Sequence, residues 1–192
     1  MPKSRVRKGR KEYRPRPGGG SRAPLRIAVV PPETGDGDRA GARTQDALAS
    51  DEVARLQRRI IGSDAWQRLI EDHVVRLVNV ERRKLDLPPL LVDERLRRSA
   101  RAHSTDMADR GYFSHVAPDG RDPVNRMRDC GHPCPAAENI ARGQEDPPAV
   151  MRVWMNSPLH RRNILRPQVR SIGVGMHRGH GGPWWTQHFG YE

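Results

Sequence analysis

The chain has 192 residues, of which 35% are hydrophobic and 30% charged, and its formal net charge is +12. No stretch approaches the ~20 consecutive apolar residues of a membrane span, which excludes a membrane-crossing helix within these residues. Eighteen Gly and 17 Pro against so little apolar content also exclude a chain that is packed from end to end.

Charge divides the chain unevenly. Residues 1–26 hold ten Lys or Arg against Glu12, so this segment carries +9 and the other 166 residues carry +3. It lacks hydrophobic periodicity and is broken by Pro and Gly, which reads as a disordered basic arm. Solubility is one use of such an arm. Anionic partners are another, either nucleic-acid phosphates or lipid head groups. The apolar run from Leu25 to Val30 is shorter than the ~7–15 residues of a signal-peptide core and meets Pro31-Pro32, so no signal peptide is visible. Residues 31–50 read as linker, Ser50 opens a short basic helix through Arg59, and Gly62 ends it. The expected division is therefore an arm and linker over 1–62 and a folded domain over 63–192.

From Trp66, apolar positions Leu69, Ile70, Leu77, Val78 and Val80 form a helical stripe. Asp86-Leu87-Pro88-Pro89 ends it, because the residue before proline is pushed out of helical geometry. Asp93 is a good N-cap for a second helix, in which Leu96, Ala100, His103 and Met107 share a face. Gly111 supplies a left-handed stop. Tyr112 and Phe113 follow as apolar anchors, then Ser114 and His115, then the turn Pro118-Asp119-Gly120. Asp122-Pro123 and Pro147-Pro148 each open a helix with proline in the first turn. Ser157-Pro158 restarts the chain as a short turn that carries His160. Ile172 to His177 and Trp184 to Phe189 read as two strands of a hairpin joined through Gly179 to Gly182. Helices around a small sheet in mixed order give an α+β class.

Cys130 and Cys134 suit a small disulfide in an oxidising compartment or two free thiols. One pair is not a zinc-ribbon pattern, though His132 between them could add a ligand. His103 sits on an apolar stripe and reads as a core histidine, and Trp154, Trp184 and Trp185 read as core. Asn139 and Asn163 can satisfy backbone groups. His132, His177, His180 and His188 carry no pattern that separates them from surface residues.

Taken in order, YFSH, PDG, Ala137-Glu138-Asn139-Ile140-Ala141, the run Trp154 to Leu165, Ile172-Gly173-Val174-Gly175 and Trp184 to Gly190 resemble the CAP superfamily in its bacterial SCP-like form (cysteine-rich secretory proteins, antigen 5 and pathogenesis-related proteins). The resemblance implies a three-layer α-β-α sandwich with a small antiparallel sheet. It also implies a protein of the extracellular space or cell envelope, although without a visible signal peptide the cytoplasm is an alternative. Many relatives carry two His and two Glu in a central cleft that can hold a divalent metal. Carried over, the first His falls on His115 and one Glu on Glu138, while the other two positions fall on Ser157 and Trp184. His160 could restore a histidine pair, for weak zinc binding through His115 and His160. The expected cleft is thus His115, Glu138, Ser157 and His160, in a non-catalytic module that takes a lipid or an envelope glycan. A metal-assisted hydrolase using the same cleft is the alternative. A plain structural pair of His115 and Glu138 is a third reading.

If residues 1–26 bind an anionic surface, that binding rests on counterion release. Co-sedimentation of the full chain with anionic vesicles should then weaken by about tenfold or more when salt is raised roughly fourfold. Salt-insensitive binding would move the contact into the folded domain.

Overall fold

A computed structural model of the chain describes Arg26–Ala28, Glu52, Val53, Arg55, Leu56 and residues 63–192. The basic arm, the linker and most of the short helix expected before Gly62 lie outside the described residues. Within that helix, Glu52, Val53, Arg55 and Leu56 are helical and exposed.

The elements in chain order are β1 (Arg26–Ala28), α1 (Ser63–Arg83), β2 (Leu91–Val92), α2 (Glu94–Asp109), α3 (Pro123–Asp129), β3 (Pro135–Arg142), α4 (Pro147–Asn156), α5 (Pro158–Ile164), β4 (Ser171–Gly179) and β5 (Gly182–Gly190). Local chemistry sets most helix boundaries. The carboxylates of Asp93, Asp122 and Asp146 accept from the amides of Arg95, Asn125 and Ala149 at 2.7, 2.7 and 2.6 Å. α2 stops at Gly111, which adopts φ 67°, while the Tyr112 amide bonds the Met107 carbonyl at 3.1 Å. That pairing closes the helix with a glycine cap and turns the following loop back over it.

The sheet runs β1-β3-β5-β4-β2. Its three central strands pair antiparallel, as expected, and the two short edge strands β1 and β2 pair parallel with β3 and β4. Neither edge strand is marked in the sequence. Arg26–Ala28, read as part of the arm, pairs with Ala137–Asn139. Three residues are too few for periodicity to show.

Side chains alternate between the two faces. One face meets α1, α4 and α5 in a core that includes Val74, Val78, Trp154, Ile164, Ile172, Val174, Trp185 and Phe189. The other meets α2, where Met107, Ile140 and Trp184 pack with Tyr112 and Phe113. The result is helix, sheet, helix.

α2 lies unusually close to β4. A Cβ at Gly173 would overlap the backbone of Leu96 and Arg97, and one at Gly175 would overlap the backbone of Ala100 and Arg101. Both glycines are there for space, not for backbone freedom.

Cys130 is half-buried and Cys134 buried, and no bond joins their sulfurs in this fold. Cys134 Sγ donates to Glu192 Oε1 at 3.0 Å. His132 is buried and faces Ser171 Oγ at 3.3 Å.

Gly175→Ala should lower stability by about 1–3 kcal/mol, the usual penalty for overfilling a packed interface that cannot widen. Urea unfolding of the wild type and the variant measures it. Equal midpoints would mean that α2 stands farther from the sheet than described.

Candidate functional site

Glu138 lies in the middle of β3, fully buried, with His188 of β5 as its direct cross-strand partner. Its two oxygens take three donors. His115 Nδ1 reaches Oε1 at 2.6 Å, and His188 Nε2 and Arg126 Nη2 reach Oε2 at 2.6 and 2.8 Å. His103 Nε2 stands 3.9 Å from Oε2 and bonds the Ser114 carbonyl at 3.1 Å. Each imidazole thus places an N–H on an acceptor. The other ring nitrogen of each is buried with no hydrogen-bond partner.

Four elements deliver these groups. β3 and β5 hold Glu138 and His188 side by side, and α2 lays His103 across them. The glycine cap of α2 feeds the Tyr112–His115 loop back to the sheet. Arg126, from α3, ties that loop down. Besides Glu138 it donates to the carbonyls of His115 at 2.7 Å and Arg121 at 2.8 Å.

The cluster carries one balanced charge pair, the Glu138 carboxylate and the Arg126 guanidinium. Burial pushes the Glu138 carboxyl up, but the electrostatic pull of His103 and the hydrogen bonds from His115 and His188 outweigh it and hold the group well below its usual range. Burial lowers His188, against the pull of Glu138. Burial likewise lowers His103 to about 4. Near neutrality both are uncharged.

The sequence-derived residues do not all meet. His115 and Glu138 do, at 2.6 Å. His160 belongs to the opposite face of the sheet, because its carbonyl accepts from Asn139, the neighbour of Glu138 that points the other way. There Asn139 also donates to Gln187, and Asn163 donates to Asn139 and to the Glu138 carbonyl. Ser157 is the junction between α4 and α5, partly exposed, and its side chain makes no capping bond. Trp184 is buried on the Glu138 face, 6.3 Å from Phe113 between ring centroids, with the Arg142 guanidinium 4.2 Å above its ring.

Sequence reasoning missed His188 and Arg126. Period-two alternation from Trp184 through Thr186 puts His188 on one face, but only the pairing of β5 with β3 reveals what it faces. Arg126 had no signal beyond one more arginine on a short helix.

A divalent metal fits these residues poorly. One ring nitrogen of His115 and one of His188 are spent on the Glu138 carboxylate, and His160 lies across the sheet. Among the described residues no three His, Cys, Asp or Glu side chains are placed to hold an ion. The zinc pair of His115 and His160 is therefore not assembled.

Because His103 and His188 stay neutral and Glu138 stays ionised, the folded state binds fewer protons than the unfolded chain in acid. Stability should be highest above pH 6.5, the ordinary histidine value, and should fall through the range down to about 4 as His103 is forced to charge. Below pH 4.5, the ordinary carboxyl value, protonation of Glu138 in the unfolded chain adds to the loss. The His103 contribution alone is worth roughly 3 kcal/mol. Urea midpoints across this range check it, and a flat profile would mean that the cluster is hydrated.

The chain has known relatives. The CAP, cysteine-rich secretory protein family matches residues 75–189. The uncharacterized protein YkwD of Bacillus subtilis is 48% identical over 120 residues, 62% of this chain and 46% of that protein. The uncharacterized membrane protein YlbC of the same organism is 32% identical over 139 residues, 70% of this chain and 39% of that one. The chain thus spans less than half the length of these curated relatives. A crystal structure of an extracellular protein containing an SCP domain from Bacillus anthracis superposes with a TM-score of 0.61 at 31% identity, covering 66% of this chain and 42% of that one. An outer surface protein of Borrelia burgdorferi shares the fold with a TM-score of 0.56 at 21% identity, over 61% of this chain and 88% of that one. With its three-layer sandwich and the matched span, this chain belongs to the CAP family of cysteine-rich secretory proteins, in its bacterial SCP-like form.

Proposed function

We propose that the domain is a non-catalytic ligand-binding module that works at the cell envelope. The observation that carries this reading is the full burial of Glu138 under three donors. A general base needs a free lone pair facing substrate and a proton affinity near the working pH. Glu138 spends both oxygens on three donors, and its proton affinity is far too low.

A ligand would meet this cluster from the loop side. Only His115 and Arg126 have any exposure, at 3% and 7%. The loop beside them presents exposed Val116 with half-buried Tyr112 and Phe113. His115 Nδ1 is engaged by Glu138, and its Nε2 has no partner in the fold. An apolar surface beside one unpartnered ring nitrogen suits a hydroxyl-bearing ligand, such as a lipid alcohol or an envelope glycan. In this reading Ser157 and His160 serve the other side of the sheet. The envelope setting is supported by the extracellular and outer-surface proteins that share the fold. Among the described residues no helix is long and apolar enough to cross a membrane.

Zinc calorimetry on the wild type and on His115→Ala separates this reading from a metal-assisted hydrolase. The expected result is weak or no binding to either protein and no zinc-dependent cleavage of casein. Tight binding that disappears in the variant, accompanied by turnover, would establish the enzyme instead.

A further inference from the structure

Four arginines of the described residues are more than nine-tenths buried: Arg82, Arg97, Arg126 and Arg166. Two have carboxylates. Arg97 pairs with Glu71 and Asp72, and Arg126 pairs with Glu138. Arg82 and Arg166 have none among the described residues, and both sit at the segment that runs from α5 into β4. Arg82 donates to the carbonyls of Pro88, Ile164 and Arg166 at 2.9, 2.8 and 2.9 Å, and its second Nη is buried without a partner. Burial, and then the like charge of Arg170, lower its proton affinity. Arg166 is held by the Ala136 carbonyl at 3.2 Å and the Tyr191 hydroxyl at 3.0 Å.

The same segment is basic on its outside. Residues 158–170 contain Arg161, Arg162, Arg166 and Arg170 and no acidic residue, a charge of +4 where residues 27–192 total +3. Arg161 and Arg162 are exposed, and neither has an ion-pair partner among the described residues. With Arg166 they line a groove of about 450 Å³ together with Pro158, Leu165, Pro167 and Gln168. Elsewhere among the described residues a buried guanidinium is matched by a carboxylate, because an unmatched buried charge is costly. Here the match is missing among the described residues, and an open groove lies beside Arg166.

We propose that this groove binds a phosphate ester, with Arg161, Arg162 and Arg166 on the phosphate oxygens and the alcohol portion against Pro158, Leu165 and Pro167. Planar guanidinium forks suit the several acceptors of a phosphate, and Arg166 is held in place before a ligand arrives. The groove is larger than a bare phosphate needs, which leaves room for a glycerol-sized group. It lies on the α5 side of the sheet and does not depend on the reading of the His115 cluster. The ester could be a soluble phosphate or a phospholipid head group.

The test is a titration of the full chain with glycerol phosphate at near-physiological salt, followed by NMR of the arginine Nε–H signals. Saturable shifts are expected at Arg161, Arg162 and Arg166, and Arg161→Gln/Arg162→Gln should weaken the affinity roughly tenfold or more. Both substituted side chains are exposed, so an unchanged melting temperature is the control for folding. Shifts confined to residues 1–26, shifts that never saturate, or an affinity unchanged in the double variant would overturn the proposal. A second arm compares phosphatidylglycerol with phosphatidylcholine vesicles. Loss of phosphatidylglycerol binding in the double variant identifies the lipid head group as the source. Retained vesicle binding with lost glycerol phosphate binding identifies a soluble ester.

Discussion

An ionised carboxylate in an inner strand of a buried sheet is the constraint that the surrounding structure answers. Isolated, such a charge would cost several kcal/mol in lost hydration. Glu138 avoids that cost only if donors arrive from every direction at once, and each comes from a different element. β5 supplies His188, the loop after α2 supplies His115, and α3 supplies Arg126. Satisfying one side chain therefore fixes a strand pairing, a loop path and a helix position. Arg126 adds to this by holding two loop carbonyls as well.

The same solution appears a second time at the other end of α2. Glu71 of α1 is fully buried and accepts from Gln67, from Arg101 at 2.8 Å and 2.6 Å, and from the Met176 amide of β4. Arg97 completes that ring. One buried carboxylate thus locks α2 and α1 to β4, and the other locks the α2 loop and α3 to β3 and β5. At the Glu71 end the glycines of β4 let the helix backbone rest on the sheet. α2 is held at both ends by charge, and over its first two turns by close backbone contact as well.

Much of this was legible in the residues. Capping carboxylates, first-turn prolines and the glycine stop of α2 act over a few positions, so helix ends could be read from local chemistry. The hairpin of β4 and β5 showed itself through alternating large side chains around a glycine turn. β3 was harder. Pro135 to Arg142 contains two charged or amide side chains and three alanines before its last residue, and its strand character comes from neighbours far away in sequence. The partners of Glu138 were hidden for the same reason. His115 was flagged by its motif, whereas His188 and Arg126 gain meaning only from register and helix placement. His160 shows the reverse error: closeness in a motif suggested closeness in space, but α5 packs on the far layer.

The composition of β3 has a consequence for how the sheet chooses its alignment. Most half-buried strands are aligned by an apolar row, and a shift by one residue exposes that row to water. β3 is buried on both faces and has little apolar pattern to lose. A one-residue slip would instead turn Glu138 into the amide layer of Gln187 and Asn163, and turn Asn139 toward three histidines and an arginine. Both layers would be left with mismatched donors and acceptors, the costly kind of error in a dry interior. Correct alignment of β3 is thus selected by polar complementarity, in a place where hydrophobicity could not have made the choice.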